Sequence, residues 1–438
     1  MRVDDTLALA REGYAWLPNR RRRAGGGPVG TRLLGRRAVG LVGPAAARFF
    51  YDDNHVRRHG AIPGPVRSTL LGHGAVHTLD GAAHRVRKAL FLALLTPEEN
   101  ATLADRVADA WDAAVPTWRG DRPVSLFDET SRVITRAVWG WAGVPLADTD
   151  VAPVAADLVL MVDGFGTVAP RHWRARRART RQENRLARLV EEFRADSGGA
   201  SGAAASGPVR LSGVAGSALD VVAHHRDANN RPLDPCTAAV ELLNLLRPTV
   251  AVTWFLTFAA HALHRWPEHR GPVRDDPGYA TAFVHEVRRF YPFAPFVGGR
   301  AVRDLTFAGR RIPAGTLVLL DLYGQNHDPE LWPDPYRFDP GRFVNRRIGA
   351  FELVPQGGGD PRTGHRCPGE DLTVTLLRRL VPRLAGLDYE VPDQDLRIPL
   401  GRVPTRPRSG FVIRNVRPPE KSSNRSVGDV ENPPAAST

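Results

Sequence analysis

The chain has 438 residues, and its 60 Lys or Arg against 47 Asp or Glu give a formal net charge of +13. The hydrophobic fraction of 42% and the charged fraction of 24% exclude a disordered, collagen-like or coiled-coil chain. The chain has only two cysteines, Cys236 and Cys367, which excludes a disulfide scaffold and favours a reducing compartment. The positive charge is nearly all Arg, which with abundant Ala, Gly and Pro is typical of a GC-rich genome, so we expect no nucleic-acid partner.

The N-terminus carries acidic residues and lacks the apolar core of a secretory signal. The longest apolar stretch follows Pro248 and is interrupted by His261 and His264. It therefore falls short of the ~18 residues that a membrane span needs. We expect a cytoplasmic protein with no membrane span.

Helices are predicted wherever apolar residues recur at three- and four-residue spacing. These segments are residues 101–114, 131–143, 154–162, 174–194, 235–264, 281–291 and 370–384. Short strands separated by Gly and Pro are predicted within residues 303–322, and further strands within 389–413. The fold class is therefore mainly α (α+β), a helical body with a small β-sheet part.

Two segments have little to bury and are predicted to be flexible. Residues 197–217, rich in Gly, Ala and Ser, form a connection between helices, and the polar residues 418–438 form a disordered tail. Residues 1–417 are then expected to form a single catalytic domain.

Cys367 stands in a glycine-rich loop, Gln356 to Glu370, directly before a predicted helix. The partial positive charge at the helix start favours a thiolate, and the glycines let the backbone approach a flat ligand. Such a loop can present one sulfur to a metal while neighbouring N–H groups temper its charge. The alternative is a structural cysteine on a surface loop.

Glu286 and Arg289 lie three residues apart on one predicted helix and can form an ion pair. Alone, such a pair is commonly a solvated surface feature. Arg342 supplies a second guanidinium that the same carboxylate could bind.

In this order and spacing, Glu286, Arg289, Arg342 and the Cys367 loop resemble the haem-thiolate cytochromes P-450, over residues 5–417 approximately. The resemblance implies that fold and haem b as cofactor, with Cys367 as the axial ligand of its iron. It also implies that Glu286, Arg289 and Arg342 form a structural triad behind the haem.

The resemblance further assigns residues to the haem propionates. His84 and Lys88 match positions that commonly contact propionates, and Arg58 and His365 are weaker candidates whose alternative is a solvated surface position.

Two departures from the ordinary monooxygenases of that family indicate a subgroup. Asp360 lies seven residues before Cys367, where those enzymes have Phe. Arg247 and Pro248 stand in place of the acid–alcohol pair that relays protons to bound oxygen. Both departures resemble the fatty-acid peroxygenases, which use hydrogen peroxide directly. This implies fatty-acid hydroxylation at the α or β carbon, decarboxylation to terminal alkenes as a second outcome, and no obligatory redox partner.

The chemistry of Arg247 and Pro248 supports this interpretation independently. Pro248 removes a helix donor and crowds the carbonyl of Asn244, which predicts that the helix kinks or widens there. Arg247 lies in an apolar run and is costly to bury without a partner, and its planar fork suits a carboxylate. The alternative is an Arg paired with an internal Glu or a haem propionate.

His77 matches a position that is His in the decarboxylating peroxygenases and Gln in members that mainly hydroxylate. An imidazole titrates in a range that suits a proton donor, and the alternative is a residue that only packs the loop. Leu71 stands where the best-known decarboxylating member has Phe, which leaves the product ratio open. The implied catalytic residues are Arg247, His77 and Pro248.

Two rival functions stay open at this point. A monooxygenase supplied by redox partners needs an acid–alcohol pair, which the predicted central helix lacks. A non-catalytic haem sensor or carrier has no need of a carboxylate clamp.

Overall fold

Helices make up most of the chain in the computed structural model, which describes residues 4–167, 169–198 and 216–417. In chain order the α-helices are α1 (Thr6–Glu12), α2 (Trp16–Arg23), α3 (Pro44–Phe50), α4 (Gly64–Val66), α5 (Gly81–Leu94), α6 (Pro97–Ala114), α7 (Leu126–Trp141), α8 (Asp148–Asp163), α9 (Ala169–Gly198), α10 (Ala218–His224), α11 (Pro235–Val250), α12 (Val252–Arg265), α13 (Arg270–Asp275), α14 (Pro277–Phe290), α15 (Leu322–Asn326) and α16 (Glu370–Gly386). A π-helical turn at Arg67–Leu71 and a 3₁₀ turn at Val76–Thr78 lie between α4 and α5.

The strands form small sheets. They are β1 (Val29–Leu33), β2 (Arg36–Leu41), β3 (Val56–Arg57), β4 (Val124–Ser125), β5 (Phe296–Ala301), β6 (Leu305–Phe307), β7 (Arg310–Ile312), β8 (Leu317–Asp321), β9 (Asp388–Glu390) and β10 (Val412–Arg417). The largest sheet has the order β1-β2-β8-β5-β3, and within it β2 and β8 run parallel, from Ala38 opposite Leu317 to Leu41 opposite Leu320.

The mainly helical fold class with a minor sheet part is confirmed. The predicted helices are present, but several begin earlier than the apolar periodicity indicates. Thr96 caps α6 by accepting from the Glu99 N–H at 3.2 Å, and Ser125 caps α7 by accepting from the Asp128 N–H at 3.3 Å. Capping residues therefore set starts that the periodicity of the interior does not reveal.

The predicted helix over 235–264 is two helices, α11 and α12, with the break at Ala251. The break falls three residues after Pro248, whose own position lies inside α11, so the local distortion predicted at Pro248 stays a prediction. The combined helix Pro235–Arg265 is long and apolar enough to cross a membrane by length and composition. The expectation that this stretch is too short for a membrane span is therefore wrong. However, 94% of its apolar window is buried inside the protein, as in the core helix of a globular protein.

The main hydrophobic core surrounds this central pair of helices. α11 packs against α9 and α7, and α12 packs against α7 and α16. Because α16 follows the Cys367 loop directly, the core fixes that loop against the middle of the helical body.

Residues 199–215 of the predicted flexible connection and the predicted tail 418–438 lie outside the described residues. The single-domain assignment of residues 1–417 stays a prediction.

Candidate active site

Cys367 lies three residues before α16, and its side chain is partly buried. Its N–H donates to the Gln356 carbonyl at 3.1 Å, and Gln356 Nε2 lies 3.9 Å from Sγ. Burial raises the pKa of the Cys367 thiol, while the Gly369 N–H lowers it. Burial therefore opposes the thiolate that the helix start is predicted to favour, whereas a cation bound at the sulfur would stabilise it.

Lys88 ties α5 to the Cys367 loop. Its ammonium donates to the carbonyls of Gly364 at 2.9 Å and Arg366 at 2.7 Å. Burial lowers the pKa of Lys88 to about 8, and Cys367 opposes that shift. The lysine and the sulfur therefore lie on adjoining parts of one site.

A cationic cluster extends from Lys88 through His84 and His365 to Arg58. The His84 and His365 rings stack with centroids 3.9 Å apart. Burial and then the Lys88 charge lower the pKa of His84 to about 4, and burial and then the Arg58 charge lower the pKa of His365. Arg58 is buried and its Nη1 donates to the Gly298 carbonyl at 3.0 Å.

The cationic cluster has few anions near it. His365 Nε2 lies 3.5 Å from Asp80 Oδ1, and within the described part of the chain no carboxylate lies at ion-pair distance from Arg58 or Lys88. The cluster can therefore accept anionic groups from a ligand.

The structure brings Glu286, Arg289 and Arg342 together. Arg289 donates from Nε and Nη2 to the two Glu286 oxygens, each at 2.7 Å, and both side chains are fully buried. Arg342 Nε lies 3.8 Å from Glu286 Oε1. Glu286 Oε1 also accepts from the Asp339 N–H at 2.8 Å, so this one carboxylate joins α14 to the segment that carries Arg342.

Arg247 lies on α11 and is 6% exposed. Among residues 4–167, 169–198 and 216–417, no carboxylate forms an ion pair with it, and its Nε is buried without a hydrogen-bond partner. Burial and then the Arg179 charge lower the pKa of Arg247 to about 9, whereas Cys367 raises it. The internal-Glu alternative is wrong for Glu241, because that carboxylate pairs with Arg87 at 2.7 Å.

His77 lies in the 3₁₀ turn before α5 and is partly buried. Its Nδ1 is buried without a hydrogen-bond partner. Burial, then Arg247 and then Lys88 lower the pKa of His77 to about 3. Burial and the neighbouring cations therefore favour the neutral ring, and the role of His77 as a proton donor stays a prediction.

Sequence reasoning missed several buried polar residues around His77. Glu241 accepts from the Val76 N–H at 2.8 Å, Asn244 Nδ2 donates to the Leu71 carbonyl at 2.9 Å, and Arg179 Nη1 donates to the Leu70 carbonyl at 2.8 Å. The available signal was a Glu and an Asn in an otherwise apolar helix, six and three residues before Arg247.

The donor set fits a haem held by one thiolate. Cys367 is a partly buried residue with a free thiol, the cationic cluster can hold two propionates, and His77 and Arg247 supply buried polar atoms without partners. Within the described ranges, no group of three or more His, Cys, Asp or Glu could hold a metal ion, so a metal here needs ligands beyond the side chains, as a porphyrin provides.

Comparisons with known proteins agree with this arrangement. A family model for cytochrome P450 matches residues 274–378. The chain is similar to the solved structure of cytochrome P450SP alpha (CYP152B1), with 41% identity, a TM-score of 0.88 and coverage of 95% of this chain and 99% of that chain. It is also similar to cytochrome P450 OleT, with 35% identity, a TM-score of 0.90 and coverage of 97% and 99%.

Curated relatives match over shorter lengths. Taurochenodeoxycholic 6 alpha-hydroxylase from Sus scrofa is 33% identical over 145 residues, which are 32% of this chain and 26% of that protein. The chain thus spans about a quarter of that relative's length but nearly all of the two solved structures. On the full-length likeness, this chain belongs to the cytochrome P450 family and to its fatty-acid peroxygenase subgroup, whose members are haem-thiolate oxidoreductases.

Proposed function

We propose that this protein uses hydrogen peroxide to hydroxylate fatty acids at the α or β carbon, with decarboxylation to terminal alkenes as a second outcome. The observation that carries the proposal is Arg247, a buried guanidinium with no carboxylate partner in the described part of the chain. An unpaired buried charge is unfavourable unless a ligand compensates it, and a guanidinium fork matches a carboxylate. The missing partner is the head group of the substrate.

The cofactor contacts follow from the cationic cluster and the Cys367 loop. Cys367 holds the iron of haem b, and His84, Lys88, His365 and Arg58 hold its propionates. Once bound through the thiolate, the haem supplies an electron-rich iron that favours cleavage of the peroxide O–O bond. Glu286, Arg289 and Arg342 keep the segment behind the haem in place.

Arg247 contributes in two ways, by positioning the substrate and by holding the carboxylate that transfers protons. Its fork fixes the carboxylate, so the first carbons of the chain lie nearest the reacting centre and oxidation falls at the α or β carbon. The bound carboxylate also acts as general base and then general acid for hydrogen peroxide. Pro248 shapes the helix beside Arg247, because it lies inside α11 and has no N–H to donate to the Asn244 carbonyl.

His77 influences the outcome through its protonation. Arg247 lowers the pKa of His77, and a carboxylate bound to Arg247 offsets that positive charge. Substrate binding therefore raises the proton affinity of His77, which lets the imidazole hydrogen-bond the carboxyl group and favours its loss as carbon dioxide.

The conventional monooxygenase is the weaker candidate because the helix lacks its proton relay. Thr249 is the alcohol next to Pro248, and its Oγ1 donates to the Leu245 carbonyl at 2.9 Å within the helix. Arg247 and Pro248 stand where the acid–alcohol pair would be needed. We therefore expect a cytoplasmic enzyme with fatty acid and hydrogen peroxide as its reactants and without an obligatory redox partner.

The test is to mix haem-loaded protein with a fatty acid and hydrogen peroxide, with no reductase or nicotinamide present. We expect α- and β-hydroxy acids, with alkene one carbon shorter. The matched control is the methyl ester of the same acid, which lacks the carboxylate and should give little product. Turnover only with a reductase would support the monooxygenase, and no turnover with either supply would support a sensor.

A further inference from the structure

We propose that Glu241 and Asn244 are positioning residues, which fix the His77 loop, residues 70–78, at a set distance from Arg247. This inference rests on the proposed function, because it assigns the product ratio to that distance. Neither residue needs to contact haem or substrate. Both act through backbone atoms of the loop.

The His77 loop is fastened at both ends by side chains of α11. Glu241 Oε1 accepts from the Val76 N–H at 2.8 Å, one residue before His77. Asn244 Nδ2 donates to the Leu71 carbonyl at 2.9 Å. Since both partners are main-chain atoms, these two hydrogen bonds do not depend on which side chains stand at 71 and 76.

Glu241, Asn244 and Pro248 recur at three- and four-residue spacing, so they lie on one stripe of α11, and Arg247 borders that stripe. The helix segment that carries the carboxylate-binding cation therefore also carries the loop contacts. A rigid helix turn separates them, which makes the offset between Arg247 and the His77 loop a fixed property of α11.

Arg87 gives Glu241 its charge balance. Its Nη1 donates to Glu241 Oε1 at 2.7 Å, and both side chains are buried. Arg87 belongs to α5, the helix that also carries His84 and Lys88. One buried carboxylate thus connects α11, the His77 loop and the helix assigned to the propionates.

A third contact restrains the same loop from α9. Arg179 Nη1 donates to the Leu70 carbonyl at 2.8 Å. At Gly72, where φ is +90°, an added Cβ would lie 2.3 Å from Arg179 Nη2 and 2.7 Å from Val240 Cγ1. The loop backbone is therefore packed between two helices with no room to shift towards either.

The experiment compares two double variants that both remove the charge pair, so that neither leaves a buried charge unpaired. In Arg87→Met/Glu241→Gln, the Gln amide oxygen can still accept from the Val76 N–H. In Arg87→Met/Glu241→Leu, that acceptor is lost. The readouts are amide hydrogen exchange of residues 70–78, the fatty-acid-induced change in the haem spectrum, and the ratio of alkene to hydroxy acid.

In the Leu variant we expect the Val76 amide hydrogen to exchange at least about tenfold faster than in the parent, since its hydrogen bond to a charged group is lost. We also expect the ratio of alkene to hydroxy acid to change several-fold in that variant. The Gln variant should stay within about twofold of the parent in both readouts. Fatty-acid binding should persist in both variants, because Arg247 is intact.

Three results separate the possible failures. Equal exchange and equal product ratio in the Leu variant and the parent would overturn the inference. Equal losses in the Gln and Leu variants would also overturn it, because the charge pair rather than the loop contact would then matter. Faster exchange in the Leu variant, with a product ratio unaffected both there and in His77→Gln, would support the loop contact while contradicting the role proposed for His77.

Discussion

Two regions of the molecule bury charged side chains, and they differ in whether those charges are paired. In the first region, Glu286 forms ion pairs with Arg289 and Arg342, and Glu370 forms ion pairs with Arg288 and Arg366. On α11, Arg247 is also buried but has no carboxylate at ion-pair distance in the described residues.

The difference separates a scaffold from a binding site. Removing one partner of a buried ion pair is strongly destabilising, although the intact pair adds little net stability compared with apolar residues. An unpaired one is unfavourable until a ligand arrives, so the protein retains it at a cost in stability. The predictions below test this division.

The largest effect is expected at the ligand itself. Cys367→Ala should abolish the thiolate–haem spectrum, including the red-shifted carbon-monoxide complex of the reduced protein, or should prevent haem binding altogether. Absorption spectra of the purified variant provide the measurement. A variant that retains the parent spectrum would contradict the axial assignment.

The next largest effect is expected from Arg247→Ala. Carboxylate binding should weaken by ~1.5–3 kcal/mol, roughly ten- to a hundredfold, while peroxide-driven turnover should fall by about 10²–10⁴ because the bound carboxylate is also the acid and base. Saturating fatty acid should therefore not restore the rate. Spectral titration and product formation measure the two quantities.

Arg247→Lys is the matched control, since it retains the charge but loses the planar fork. It should bind fatty acid more tightly than the Ala variant and less tightly than the parent. Normal turnover in Arg247→Ala with only a modest binding defect would show that the carboxylate is not the proton relay.

On the scaffold side, Glu286→Gln leaves Arg289 buried without an anion. We expect the free energy of unfolding to fall by ~3–5 kcal/mol. Chemical denaturation followed by tryptophan fluorescence measures it. The control is Asp112→Asn at the exposed pair with Arg383, where the loss should stay below about 1 kcal/mol.

The opposite sign is expected for Arg247→Met in the absence of fatty acid. Replacing an unpaired buried charge with an apolar chain should raise the free energy of unfolding by ~1–3 kcal/mol. The same denaturation experiment applies. A loss of stability as large as that of Glu286→Gln would mean that Arg247 already has a structural partner, and the division between the two regions would fail.

The smallest effect is expected from His77→Gln, which should shift products several-fold from alkene towards hydroxy acid with haem content preserved. Chromatography of products from one fatty acid measures the ratio. An unchanged ratio would return His77 to a packing role within its loop.

The sequence predicted the parts of the molecule that depend on local pattern. The interiors of α6, α9 and α16 follow from apolar periodicity. The pairing of β2 with β8 could not be predicted, since a parallel pair between strands so far apart in the chain leaves no local signal.

The site shows the same division. Arg247 was identifiable because a charge in an apolar helix needs an explanation, and Glu286 because its partner is three residues away. The contacts of Glu241 and Asn244 were not, because sequence does not reveal which main-chain atoms of a distant loop meet a helix face. The lowered pKa of His77 likewise depends on burial and on cations from other elements.

The parallel pairing of β2 and β8 also limits when this sheet can form during synthesis of the chain. About 280 residues separate the paired strands, so at ~5–20 residues per second a ribosome needs roughly 15–55 s after making β2 before β8 exists. During that interval the β1–β2 hairpin exposes an open strand edge on the nascent chain. The Cys367 loop follows later still, so the haem capture proposed for Cys367 has to wait until the greater part of the polypeptide has been synthesised.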